Sequence, residues 1–280
     1  MLKVRVFVPS KGRAETITTP AVLDALGQRC TVVVHSDDEA ERYRRAGRAG
    51  DSLVISGVPG DAFGLTRQRE FICEVLAVPG EWFLFADDNI MKITAVPMPY
   101  YREGIPALTS AQQHELFGAE IDSALWGTVL QETVDAATRV GAHIAGFGAT
   151  SNPRHRMQKW AQVCYVRGKM FLWHNVPYGW DHTISMEDFR NTAEHLLRYG
   201  TVLVHNWCRA EARHYMPGGM GTKAERCEQR QRDCRALMRL YPGLFRLKPQ
   251  ATRRGEWDLR LNIHSIEGIA AWRRRLLTDV

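Results

Sequence analysis

The chain begins with an apolar, β-branched run, "KVRVFVPS" (3–10), which breaks at Pro9-Ser10 into the polar turn "SKGRAET". The same form returns in "CTVVVHSDD" (30–38), a buried-strand pattern that ends in acids and leads into the helix-like "DEAERYRRAG". It returns again in "EWFLFA" (81–86), which runs into Asp87-Asp88-Asn89. "DSLVIS" (51–56) supplies another strand, and "FGLTRQREFICEVLAV" (63–78) repeats Leu65, Phe71/Ile72 and Val75/Leu76 at helical spacing. Strand and helix thus alternate over roughly the first 90 residues, which predicts an α/β fold with a mostly parallel central sheet and flanking helices. Ligands of such sheets collect at the carboxyl ends of the strands. Here those ends carry Ser10-Lys11-Gly12-Arg13, Asp37-Asp38 and Asp87-Asp88-Asn89.

Beyond this repeat the pattern loosens. "VPMPYYREGIPALTS" (96–110) reads as a loop, and "GAEIDSALWGTVLQETVDAATRVG" as a long amphipathic helix. "WAQVCYVRGKMFLW" (160–173) reads as a strand pair turning at Arg167-Gly168. "SMEDFRNTAEHLLRYG" (185–200) reads as a helix with Ser185 as its cap and Glu187-Asp188 in its first turn. A strand, "TVLVHNWCRAEA" (201–212), follows, and "MPGGMGT" (216–222) has the composition of a flexible or ligand-covering loop. The tail offers a helix bearing Cys227 and Cys234, an alternating run with Trp257, Leu259, Leu261 and Ile263 on one face, and a closing helix. With no internal repeat or low-complexity linker, one continuous domain over residues 1–280 is expected.

Composition narrows the class. The chain is 45% hydrophobic and has no run near the ~18 uninterrupted apolar residues of a membrane helix. Its N-terminus enters a strand pattern instead of a signal peptide, so a soluble, cytoplasmic protein is expected. The six cysteines include no CxxC pair, which argues against a disulfide framework or a zinc knuckle. The net charge of +6 is uneven: from His205 onward 16 Lys/Arg face 8 Asp/Glu, whereas the first 204 residues carry 21 against 23. A surplus confined to the last third suits a polyanionic partner, and it equally suits a solvated helix face.

Clustered acids at the end of an apolar strand repel one another, and a divalent cation relieves that repulsion. Asp87, Asp88 and Asn89 are therefore candidate ligands, the Asn89 amide oxygen being a neutral donor to a hard cation. Asp37 and Asp38 allow either ligand binding or capping of the following helix.

The order of these motifs resembles the nucleotide-sugar glycosyltransferases of the GT-A fold. "VRVFVPSKGRAETI" is similar to their first strand and turn, and "GLTRQREFICEVLAVPGEWFLFADDN" to their run from an Arg-bearing helix into an Asp-x-Asp motif. The resemblance implies Mn²⁺ or Mg²⁺ on Asp87, Asp88 and Asn89, holding the diphosphate of a UDP-sugar. It further implies Ser10, Lys11, Arg13 and Asp37 beside the nucleotide, and Arg67 or Arg69 at the diphosphate or ordering the donor loop. It makes Asp188 or Glu187, in "SMEDF", the base that deprotonates an acceptor hydroxyl with inversion at the sugar carbon, and His205 a late metal ligand. Under this resemblance residues 1–95 form the nucleotide-sugar half, 96–222 the acceptor half and 223–280 a basic extension.

The aromatic stretch "WHNVPYGWDH" (173–182), with Tyr178 and Trp180, and "NPRHRMQKW" (152–160), with Arg154 and Arg156, interleave stacking and basic residues as nucleic-acid surfaces do. Together with "VPSKGR", "ADDN" and "GGMGT", they make the chain resemble the TET/JBP-associated glycosyltransferases, which include base-J and bacteriophage enzymes. That resemblance implies UDP-glucose as donor, 5-hydroxymethylpyrimidine in DNA as acceptor, with 5-hydroxymethylcytosine first, and host cytoplasm as the location of a phage-encoded protein. Alternatives that keep the motifs are a glycan acceptor or a nucleic-acid-binding protein with a decayed site. A nucleotidyltransferase fits less well, because "SKGRAE" is not its glycine-rich loop.

Overall fold

The computed structural model describes residues 3–47, 52–61, 63–213, 223–249 and 257–262. Its centre is an eight-stranded sheet in the order β3-β2-β1-β4-β8-β6-β9-β7. The strands are β1 (Arg5–Pro9), β2 (Thr31–Val34), β3 (Ser52–Ile55), β4 (Trp82–Ala86), β6 (Ile144–Phe147), β7 (Trp160–Gln162), β8 (Met170–His174) and β9 (Leu203–His205). β1 pairs in parallel with β2 and β4, β2 with β3, and β6 with β9; β8 runs antiparallel between β4 and β6, and β7 antiparallel on the β9 edge. Mostly parallel, helix-covered sheets bury both faces, which is why β1, β4, β6 and β8 are apolar almost throughout.

Alternate residues feed two cores. Val6, Val8, Leu84, Ala86 and Leu172 pack toward α1 (Thr19–Ala25) and α6 (Ser123–Val140). Phe7, Phe83, Phe85, Phe171 and Trp173 pack toward α7 (Glu187–Tyr199) and α8 (Lys223–Leu240). On this second face the aromatic edges interlock, Phe7 on Phe83 at 5.4 Å and Phe83 on Phe85 at 4.9 Å between ring centroids. A separate ribbon joins β5 (Ile90–Ala95), which directly follows the acid triplet, to the antiparallel β10 (Cys208–Ala212). α2 (Asp37–Arg45) and α3 (Gly64–Phe71) complete the first half, α3 running into a π-helical turn, Ile72–Leu76. β11 (Phe245–Leu247) and β12 (Leu259–Leu261) pair antiparallel after α8.

Several expectations need correction. The 96–110 stretch holds a short helix, α4 (Met98–Glu103), because Tyr101 is buried against His205 and Trp207. α5 (Ser110–Gly118) follows it under a Thr109–Gln112 capping box. The 160–173 run is not a hairpin: β7 bonds to β9, while β8 is drawn between β4 and β6 by its buried apolar residues Met170, Phe171, Leu172 and Trp173. The 201–212 strand breaks at Asn206-Trp207 into β9 and β10, which belong to different sheets. The "MPGGMGT" loop, Ile263 and the closing helix lie outside the described residues. Among the described residues no helix is long and apolar enough to cross a membrane.

Candidate active site

The carboxyl ends of β1 and β4, the N-terminus of α7 and one side of α8 enclose an open cleft of about 750 Å³. Asp87 and Asn89 line it, and Asp88 does not. The cause lies in the partners of Asp88, which is 5% exposed: its Oδ2 accepts from Ser10 Oγ at 2.5 Å and its Oδ1 from Arg13 Nη1. Ser10 Oγ also bonds Tyr43 Oη at 2.6 Å. Asp88 and Ser10 thus fasten the end of β4 to the turn after β1, and Ser10 is a buried tie instead of a nucleotide contact. Lys11 and Arg13 reach the cleft.

Asn89 is held by its amide. Nδ2 donates to Arg213 O at 2.7 Å, just beyond β10, which leaves Oδ1 buried and without a partner among the described residues. An orphaned amide oxygen and the Asp87 carboxylate, on residues that line the same cleft, are hard donors of the kind that suits Mg²⁺ or Mn²⁺, since such ions take few protein ligands and complete their shell with water and phosphate oxygens. No cluster of three His, Cys, Asp or Glu side chains suited to a metal occurs among the described residues.

Arg69, fully buried at the end of α3, joins the carboxylate at the end of β4 to that at the start of α7. Its Nη1 donates to Glu187 Oε1, its Nη2 donates to Gly168 O at 2.9 Å, and the same Nη2 lies 3.5 Å from Asp87 Oδ1. Phe85 and Phe171 hold the guanidinium at 5.4 and 4.9 Å from their ring centroids. Arg69 therefore does not extend to a diphosphate; its charge is committed to protein carboxylates. One cation serves Asp87 and Glu187, with Asp188 adjacent. Burial pushes Asp87 up to about 7, Arg69 opposing and Asp88 and Glu187 adding to the rise. Burial likewise raises Glu187 above the usual carboxylate range, against the pull of Arg69.

Asp188 is the more accessible acid of α7. Its Oδ2 accepts from Tyr165 Oη and from Gly168 N at 3.2 Å, and Oδ1 accepts from Phe189 N at 3.0 Å. Gly168 permits this approach, because a Cβ there would meet Asp188 Cβ at 3.1 Å and Glu187 Oε1 at 3.2 Å. The expected cap of α7, Ser185, is not one. The N-cap is Met186, and Asp233 of α8 holds the chain as it enters the helix, Oδ2 accepting from Ser185 N at 3.0 Å, Met186 N at 3.1 Å and Ser185 Oγ.

The other expected site residues lie elsewhere. Arg67 pairs with Asp61, on the loop before α3. Asp37 is exposed in the first turn of α2, where an acid favours the helix dipole. His205 is fully buried, Nδ1 bonded to Thr133 Oγ1 at 2.9 Å and Nε2 to Tyr101 Oη at 3.2 Å, with Trp160 4.3 Å away between centroids. It shares the face of Leu203 toward α6, so neither nitrogen is offered to a metal. Tyr178 and Trp180 pack on Trp173 at 5.0 and 5.4 Å, at the margin of the second core, and neither lines the cleft. Arg156 is buried on the carbonyls of Asn206 and Phe117, while Arg154 is exposed away from the cleft.

In their place the structure brings residues that sequence reasoning did not single out. Tyr165, Arg167 and Lys169 enter the cleft from the connection between β7 and β8. Arg230, Arg232 and Lys248 enter it from α8 and the segment beyond, Arg230 and Lys248 both engaging Asp258. Glu39 holds the β1 turn through Gly12 N and His35 N. The Arg167-Gly168 turn was legible in the sequence; its closeness to Asp188 follows only from β8 inserting beside β4. A family model described as TET-Associated Glycosyltransferase matches residues 4–206. No curated protein matches the chain.

Proposed function

The chain belongs to the TET-associated glycosyltransferase family, and from that membership we propose that it transfers a hexose from a UDP-sugar to a hydroxymethyl group on a pyrimidine of DNA. UDP-glucose and 5-hydroxymethylcytosine are the first donor and acceptor to try. The observation that carries the proposal is the bridge made by Arg69 between Asp87, at the donor end, and the Glu187-Asp188 pair, at the acceptor end. A donor diphosphate and an acceptor hydroxyl drawn to those two ends would meet within one cleft.

Asp188 is the better base of the two acids. Glu187 is spent on a buried guanidinium, whereas Asp188 is only partly covered and its orientation is fixed by Tyr165 and Gly168. The acceptor oxygen forms a bond to the anomeric carbon as the bond from that carbon to the diphosphate oxygen breaks. UDP leaves with the electron pair, and the hydroxyl proton passes to an oxygen of Asp188. Attack from the face opposite the leaving group inverts the sugar carbon. A modest base suffices when the proton is lost late in the step. A divalent cation held by Asp87 and Asn89 Oδ1 would neutralise charge on the departing diphosphate. Lys11 and Arg13, which line the same end, would do so from the protein side.

Arg167, Lys169 and Arg232 give the cleft a cationic wall, which supports a polyanionic acceptor over a neutral glycan. A base in a duplex must leave the stack to reach Asp188, so single-stranded or flipped substrate is required. The test is incubation with a panel of UDP-sugars and oligonucleotides bearing C, 5-hydroxymethylcytosine or 5-hydroxymethyluracil, read by intact mass. A hexose-sized gain on a hydroxymethylated strand alone is expected. Gain on a glycan panel, with none on any oligonucleotide, would replace the acceptor.

A further inference from the structure

The family match ends at residue 206, yet the next described helix, α8, closes one side of the cleft. We infer that Asp233 of α8 is a positioning residue for the transfer, holding the first turn of α7 so that Asp188 and Glu187 face the cleft. The inference rests on the assignment of Asp188 as the base.

Three observations carry it. First, the N-cap position of α7, Met186, supplies no side-chain cap of its own, and a helix start leaves backbone N–H groups without intrahelical partners. Asp233 takes the N–H groups of Ser185 and Met186 together with the Ser185 hydroxyl, all on one carboxylate oxygen. Second, this carboxylate is 1% exposed, and its other oxygen accepts from Gln229 Nε2 at 2.8 Å. One oxygen of this buried acid thus takes three donors from a single short segment while the other is steadied within α8, which fixes that segment to the helix. Third, the segment leads directly into Glu187 and Asp188, both of which line the cleft. Leu237 and Cys234, each fully buried, anchor α8 on the same aromatic core as α7, and Cys234 Sγ lies 3.8 Å from Met186 Sδ. α8 thus presses the start of α7 from behind while its arginines face the substrate side. A displacement near 1 Å at a positioned base costs on the order of 100-fold in rate.

The test uses the full chain with UDP-glucose and an oligonucleotide carrying 5-hydroxymethylcytosine, or the pair found by the panel, alongside amide hydrogen exchange of the free protein. Asp233→Ala is expected to lower kcat on the order of 10- to 100-fold, to leave the KM for the UDP-sugar within about twofold, and to speed exchange at Ser185 and Met186. Asp233→Asn, whose amide oxygen still accepts from both N–H groups, is expected to restore most of kcat and of the protection. Wild-type kcat and exchange in Asp233→Ala would overturn the inference. So would equal loss in both variants with a matching rise in donor KM, which marks general destabilisation. Full transfer by Asp188→Asn would instead remove the base assignment, and the inference with it.

Discussion

Asp87 and Glu187 share one buried guanidinium, that of Arg69, although they come from different elements, the end of β4 and the start of α7. Removing the shared cation leaves the buried Glu187 and the half-buried Asp87 uncompensated, and breaking a buried pair from one side costs about 3–5 kcal/mol. Arg69→Ala should therefore lower the urea midpoint substantially and abolish transfer. Arg69→Lys keeps a charge but not the fork that spans Asp87, Glu187 and the Gly168 carbonyl, so it should recover more stability than activity. Urea titration beside single-turnover assays separates the two effects.

Burial raises Asp87 to about 7 from an ordinary 3.8. A carboxyl whose folded value lies above its unfolded one contributes stability that is complete below about 3.8 and lost as pH rises through about 7. In metal-free buffer Asp87→Asn should melt about 2–4 °C higher than the parent at pH 8, and the difference should vanish near pH 4. Equal differences at both pH values would contradict the raised value of Asp87.

The roles of the triplet separate by substitution. Asn89→Asp adds a charge where Oδ1 now stands unpartnered, and should lower the Mn²⁺ concentration for half-maximal activity by roughly tenfold. Asp88→Asn, which loosens Ser10 and Arg13, should lower stability while leaving that concentration near its parent value. His205→Gln should do the same, since both ring nitrogens are spent inside the core. A metal requirement that shifts with His205 would contradict its placement.

Asp188→Asn should reduce kcat by about 10²–10⁴ with the donor KM little changed. Glu187→Gln should act mainly through stability and through the tilt of Arg69. Gly168→Ala should reduce kcat as well, because the added methyl would crowd both acids.

If the cationic wall carries DNA phosphates, salt dependence reports it. Each of Arg167→Ala and Arg232→Ala should lower the slope of log Kd against log salt by about one without changing UDP-sugar hydrolysis. Arg154→Ala, exposed away from the cleft, should leave the slope unaltered.

The strand ends were legible because each buried strand is apolar up to the residue where it leaves the sheet, so Ser10 and the Asp87 triplet declared their positions. What a linear pattern does not contain is the partner supplied from far along the chain. Asp88 turns inward because Ser10 and Arg13 meet it; Asn89 turns to the β10 side because Arg213 O awaits its amide. His205 misleads for a related reason: a strand-end position does not reveal which face of the sheet the side chain takes, and here the face is that of α6. Tyr178 and Trp180 looked like a stacking platform and instead pack at the margin of the core, because Trp173 and His195 claim their rings. Ser185 had the residue type of a cap, but α7 begins one residue too late for it, and its hydroxyl donates to Asp233 instead.

The ribbon of β5 and β10 gives the fold a boundary of its own. β5 bears Ile93 and Ala95, both nearly inaccessible, and its described strand partner begins at Cys208, two residues past the end of the family match. A fragment trimmed to that match would leave β5 as a bare edge with its amides open to any other chain. Such edges invite intermolecular pairing. Expressed alone, the recognisable portion should aggregate, and the shortest fragment that remains monodisperse should include β10 and α8.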